Sequence, residues 1–234
     1  MQTTPEEPTA ALTIEVESAA YRTRHGYVFE PVSLSVAAGE VVCIAGRAGS
    51  GRTALALALT ARMKFNEGSI RIGGQDLPGA NSWVRHNSFI GPDNGFASFD
   101  DGIKVIEEAK RAHWLVGSHH RTTPEQVVEL AGLNGYEHLT IRKLTAMQRA
   151  QLAIACAFAP TVGLVVIDDF AKGIPHDQQS GLWSLVSKCN QLFDSTVVVT
   201  TLEADAGRAV ASTVVELHCS PLPPAEPQAT LVVS

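Results

Sequence analysis

Residues 46–53 read Gly-Arg-Ala-Gly-Ser-Gly-Arg-Thr, between the apolar run Val41–Ala45 and a helical pattern that begins near Thr53. Glycines at this spacing let the chain curl so that successive N–H groups face one anion-sized hollow, and a helix starting there adds its positive end. A phosphate group suits such a hollow. In the usual form of the motif a Lys after the last Gly reaches the β- and γ-phosphates, and a Ser or Thr hydroxyl faces Mg²⁺. Here Arg52 holds the Lys position and Thr53 keeps the hydroxyl. Taken alone, the stretch reads equally well as a glycine-rich strand-to-helix turn with no ligand.

A second group of candidates follows the apolar run 163–167, where Asp168 and Asp169 stand side by side. At the carboxyl end of a buried strand, one carboxylate can organise Mg²⁺ and the next can polarise an attacking water. A third lies at Leu144-Thr145-Ala146-Met147-Gln148, which opens a helical pattern running on as RAQLAIACAF. Thr145 with Gln148 three residues later is a capping box, hence a defined helix start. The histidines His113, His119 and His120 lack carboxylate or Cys support and read as exposed loop residues, not as metal ligands.

These candidates need elements to hold them. Strands are expected at 12–17, 41–46, 69–74, 163–168, 195–200 and 212–218, and helices at about 52–63, 103–113, 124–132, 147–159, 177–192 and 203–210. Their alternation predicts a mostly parallel sheet covered on both faces, with 41–46 and 163–168 as central strands. Residues from about 84 to 155 are strand-poor and read as a helical insertion. The uncharged stretch Leu152–Ile167 is short for a membrane span and is broken by Pro160 and Gly163, so a helix end, a turn and a strand are expected.

Composition limits the partners. With 18 basic and 24 acidic residues the net charge is −6, and no Lys/Arg-dense run is present, which argues against nucleic acid. The 45% apolar fraction fits a folded domain with an ample core. Arg outnumbers Lys by 12 to six. Cysteines 43, 156, 189 and 219 have no CxxC spacing and are expected to be reduced core thiols. Residues 1–10, acidic and without the features of a leader, and the Pro-rich 219–234 are expected to be loose tails around a domain at 11–218.

The order of these pieces resembles the nucleotide-binding domain of the ATP-binding cassette (ABC) family. VSLSVAAGE (32–40) precedes the glycine loop, and GSIRIGGQDL (68–77) looks like the family's antiparallel strand and turn. Leu144–Leu152 is similar to the signature LSGGQxQxL, and Leu164–Asp169 resembles the Walker B strand. The resemblance implies an α/β P-loop NTPase fold with a mostly parallel sheet, an antiparallel subdomain and a helical subdomain at about 84–155. It implies ATP and Mg²⁺ as cofactors. Tyr21 would stack on adenine; Gly46, Arg47, Ala48, Gly49, Ser50, Gly51, Arg52, Thr53 and Ala54 would cradle the phosphates; Thr53 and Asp168 would bind Mg²⁺; and Asp169 would stand at the catalytic glutamate. It also implies a homo- or heterodimer of such domains on an integral membrane permease, with the chain on the cytoplasmic face.

Departures from the family pattern gather in the hydrolytic machinery. Arg52 replaces Lys, Asp169 is one methylene shorter than Glu, and Ala146 and Met147 replace two signature glycines. The family glutamine is absent from 88–95, where Asp93 or Asn94 is the nearest substitute, and Leu202 occupies the switch-histidine position. Together they lead to an expectation of nucleotide binding with weak or no hydrolysis. Two other readings stay open: a non-hydrolysing regulatory or scaffold module bound to a membrane protein, and an active but unusual ATPase in which Arg52 serves for Lys.

Overall fold

The computed structural model describes residues 10–92, 98–114, 122–205 and 207–218. Asp93, Asn94, His119, His120, Cys219 and nearly all of both expected tails lie outside that set. The strands are β1 (Ile14–Thr23), β2 (Gly26–Val36), β3 (Val41–Gly46), β4 (Glu67–Ile72), β5 (Gln75–Leu77), β6 (Ser88–Ile90), β7 (Leu164–Ile167), β8 (Thr196–Thr201) and β9 (Thr213–Leu217). The helices are α1 (Arg52–Leu59), α2 (Asn81–His86), α3 (Val105–Trp114), α4 (Pro124–Leu130), α5 (Ala146–Ala157) and α6 (Ser180–Phe193).

Two sheets result. An antiparallel sheet runs β2-β1-β4-β5, and a sheet of parallel pairs runs β6-β7-β8-β3-β9. The parallel sheet follows from its sequences: all four residues of β7 and all six of β8 are buried, as strands covered on both faces must be. One face of it packs with α1 against the antiparallel sheet, through residues such as Ile44, Leu55, Val166, Ile14 and Ile72. The other face packs on α5 and α6 through Cys43, Val165, Val199, Ile154 and Trp183. A third cluster joins α3, α4 and α5 around Val105, Val127 and Leu152.

Several expectations need correction. Strand β2 was not expected, because its buried residues Phe29, Val32, Leu34 and Val36 break the two-residue period and β-bulges shift its pairing with β1. Pro31 is tolerated because β2 is an edge strand. Within the stretch read as a helical insertion, Ser88–Ile90 is a strand, pairing parallel to β7 at the sheet edge. The helix expected at 203–210 is a single 3₁₀ turn at Gly207–Ala209. His113 sits on α3, half-buried, with Nδ1 2.9 Å from the Thr122 carbonyl oxygen, so it is not an exposed loop residue.

The uncharged stretch behaves as expected: α5 ends at Ala157, a turn follows, and β7 begins at Leu164. Gly163 makes that turn possible, because a Cβ there would lie 2.3 Å from the Ala10 carbonyl oxygen. Among the described residues no helix is long and apolar enough to cross a membrane.

Candidate functional site

The site lies at the carboxyl ends of β3, β7 and β8. Strand β8 stands between the other two, so the loop after β3 and the carboxylates after β7 meet across the end of β8. The loop turns first through a hydrogen bond from Ser50 N–H to the Arg47 carbonyl oxygen, 3.1 Å, and leaves Arg47, Ala48 and Gly49 exposed. Gly51 then caps α1 with φ 88°, a left-handed conformation. No other residue fits there, since a Cβ would lie 2.3 Å from the Val28 carbonyl oxygen and 2.5 Å from the Phe29 Cβ. The first turn of α1 carries no acidic residue, so its positive end is not neutralised locally.

Thr53 and Asp168 come together although 115 residues separate them. The Thr53 hydroxyl donates to the Asp168 carboxylate, 2.9 and 3.1 Å from its two oxygens. Asp168 is buried, and Thr200, at the end of β8, donates a second hydroxyl hydrogen bond to it at 2.5 Å. The Thr200 Oγ1 also accepts the Asp169 N–H at 2.8 Å. One threonine side chain thus fixes both acidic residues.

Asp169 has φ 50° and turns its carboxylate toward two cations. An Arg52 guanidinium nitrogen lies 3.5 Å from one oxygen, and Lys172 Nζ lies 3.5 Å from the other. Arg52 is 8% exposed, and its other terminal nitrogen, Nη1, is buried without a hydrogen-bond partner. The Ser50 hydroxyl is in the same condition. Buried polar groups are normally satisfied, so two orphans in a loop of this shape mark a seat for a polar ligand. A cavity of about 450 Å³ opens there, lined by Ala48, Arg52, Asp169, Lys172, His176 and Thr201 among others.

The sequence-derived candidates divide accordingly. The structure brings Arg52 and Thr53, at the end of the loop Gly46 to Ala54, together with Asp168 and Asp169. Tyr21 lies on β1 opposite Phe29, half-buried, with Lys64 Nζ 5.7 Å above its ring. Leu144, Thr145, Ala146, Met147 and Gln148 open α5 with the expected capping box, in which Thr145 Oγ1 accepts the Gln148 N–H and Gln148 Oε1 accepts the Thr145 N–H. None of the five lines the Arg52 cavity; Ala146 lines a separate one of about 300 Å³ that also touches Asp168 and Asp169. Three residues of the site escaped the sequence reading. Thr200 lies near the end of β8, a strand rich in such residues; Lys172 and His176, whose Nδ1 lies 3.3 Å from Glu203 Oε2, follow the acidic pair in a stretch with no motif of its own.

The oxygen pair of Thr53 and Asp168 suits a hard divalent cation, and the loop with its orphaned Ser50 and Arg52 groups suits a phosphate chain. Residues 29–172 match the family model described as ABC transporter, over half of the chain. The chain is 25% identical over 193 residues to an ABC transporter ATP-binding protein of Methanosarcina mazei, covering 80% of this chain and 38% of that one. It is 26% identical over 185 residues to the ABC transporter ATP-binding protein YtrE of Bacillus subtilis, covering 74% and 78%. The chain therefore spans little more than a third of the first relative and about three quarters of the second. A solved ATP-binding cassette, a dimer in a post-hydrolysis state with ADP and Pi, superposes with a TM-score of 0.71 at 18% identity over 87% of this chain and 94% of that one. Fold, loop and family match agree: the chain belongs to the ABC transporter family and carries its P-loop nucleotide-binding fold.

Proposed function

We propose that this chain is an ATP-binding subunit of a membrane transport complex, holding ATP–Mg²⁺ at a site that hydrolyses slowly or not at all. The observation that carries this reading is a contrast within one site. The groups suited to binding are intact: the glycine loop, the Thr53 hydroxyl and the buried Asp168. The groups suited to hydrolysis face one another, an Arg52 guanidinium nitrogen 3.5 Å from an Asp169 carboxylate oxygen.

In this reading Thr53 and Asp168 would hold Mg²⁺, the N–H groups of Gly49, Gly51, Arg52 and Thr53 would hold phosphate oxygens while that of Ser50 closes the loop on Arg47, and Tyr21 offers adenine the ring face that Lys64 now covers. When bound, Mg²⁺ neutralises charge between the β- and γ-phosphates. Asp169 would orient water, but its carboxylate is set back by about 1.5 Å relative to Glu, one C–C bond. A misplacement of about 1 Å can lower a rate by two orders of magnitude. Arg52 offers a planar fork where a compact ammonium would reach the γ-phosphate. Docking on an integral membrane permease would use the helical part at about 84–155, and a second ATP-binding domain, identical or not, would complete the site.

Titration calorimetry of the full chain with Mg²⁺–ATP, alongside a steady-state phosphate-release assay, tests the reading. Saturable binding that is lost in Thr53→Ala, with turnover at least about a hundredfold below one per second, is expected. Brisk turnover by the chain alone, abolished in Asp169→Asn, would overturn the slow-hydrolysis reading. Absence of binding would favour the scaffold module instead.

A further inference from the structure

We propose that Lys172 is a second phosphate-binding cation of this site, acting with Arg52, and that the Asp169 carboxylate fills their shared anion seat until the terminal phosphate of a nucleoside triphosphate displaces it. The proposal rests on the nucleotide-binding reading above and adds a residue that sets its selectivity for triphosphate over diphosphate.

The geometry is that of a stand-in ligand. A single carboxylate bridges two cations, each 3.5 Å from a different oxygen. Charge-assisted hydrogen bonds are shorter, about 2.7–2.9 Å, so neither cation is fully engaged. Arg52 shows the same on its own account: it is more than nine-tenths buried, yet Nη1 finds no hydrogen-bond partner. At this seat one carboxylate faces two cations, while Glu203 on the same cavity wall pairs with His176 instead. A terminal phosphate carries about two negative charges and three acceptor oxygens, and so matches the seat better than Asp169 does.

The backbone aims Lys172 at this place. Asp169 and Ala171 both adopt left-handed conformations, φ 50° and 60°, and Lys172 N–H bonds back to the Asp169 carbonyl oxygen at 3.1 Å. Neither residue is glycine, and such conformations persist only where the surroundings impose them. The result folds Lys172 over Asp169 on the rim of the cavity that holds Ala48 and Arg52 of the loop. The chain has only six lysines, and its loop has Arg52 where an ammonium would normally stand. Lys172 returns an ammonium to the same cavity from the other side.

The bland account is an exposed i,i+3 ion pair, since the Lys172 side chain is 70% exposed. Calorimetry on the full chain separates the two, using Mg²⁺–AMP-PNP and Mg²⁺–ADP as probes at one ionic strength. Lys172→Met should weaken AMP-PNP roughly five- to tenfold and ADP less than about twofold, the effect of one charge-assisted contact made only by the third phosphate. Lys172→Arg should restore most of the loss, and Asp169→Asn should tighten AMP-PNP more than ADP. Lys188→Met, on the exposed face of α6, removes the same charge elsewhere and should leave the ratio unchanged. If Lys172→Met behaves like Lys188→Met toward both nucleotides while wild type binds them, the proposal is overturned and the binding reading stands. If wild type binds neither nucleotide, both fall.

Discussion

Thr200 connects the two acidic residues more directly than any other side chain. It spends its single hydroxyl proton on Asp168 and accepts from the Asp169 backbone, so both residues after β7 depend on one oxygen. Thr200→Val keeps the shape and removes both bonds, leaving an Asp168 oxygen and the Asp169 N–H short of a partner. The expected cost is about 1–3 kcal/mol of stability, read from urea unfolding. Nucleotide binding should weaken with Mg²⁺ present and stay near wild type in chelator, because the change acts through Asp168. Equal weakening in both conditions would show that Thr200 supports the loop and not the cation-binding carboxylate. Asp168 and Asp169 were legible in the sequence because they follow an apolar run directly, and Thr53 because it follows the glycine loop at the start of a helical pattern. Thr200 was not, because threonine is a normal constituent of a strand and only the order β7-β8-β3 puts it between the loop and the acids. Lys172 was hidden for a different reason: its orientation depends on left-handed residues at 169 and 171, a conformation that propensity tolerates in Asp but does not assign to Ala.

At the scale of elements, the β3-loop-α1 unit is where the two sheets meet. Gly49 and Gly51 have similar torsions, φ 84° and 88°, but different surroundings. A Cβ on Gly49 would meet nothing within 4 Å, whereas one on Gly51 would strike β2 at Val28 and Phe29. Gly49→Ala should therefore cost only the left-handed conformation, about 1–2 kcal/mol. Gly51→Ala should add a steric term of about 1–3 kcal/mol and push the loop away from the antiparallel sheet. Comparing urea midpoints of the two variants checks the difference, and equal losses would mean that β2 yields without cost. The buried elements β3, β7 and β8 were readable from their apolar runs, and α5 from its capping box. The hairpin β1–β2 was only half readable, because bulges between Val16 and Arg22 shift the pairing and scramble the alternation on which such a reading depends. The edge strand β6 was invisible for want of length: three residues carry no period.

Across the whole molecule, the parallel sheet encloses thiols as well as aliphatic side chains, and this makes stability depend on alkaline pH. Cys43 lies on β3, Cys156 on α5 and Cys189 on α6, all free and buried. Burial disfavours the thiolate, pushing the Cys43 pKa up to about 11 and that of Cys189 up to about 12, with Cys156 also raised. In the unfolded chain the thiols ionise near their ordinary value of 9.0. Between that value and the folded ones, the unfolded state binds fewer protons than the native state, so raising the pH favours unfolding. The stability present below about pH 9 is thus lost as pH climbs toward 11 and 12, at up to about 1.4 kcal/mol per pH unit for each thiol. Urea midpoints from pH 8 to 10.5 should fall steeply in wild type and less steeply in a Cys43→Ala/Cys189→Ala variant. The same burial predicts that iodoacetamide at pH 8 leaves Cys43, Cys156 and Cys189 unmodified in the native protein and labels them once urea is added, as peptide mapping would detect. Labelling of Cys43 without denaturant would mean that the β3 end of the sheet opens locally, and the nucleotide loop that follows it directly would then have to open with it.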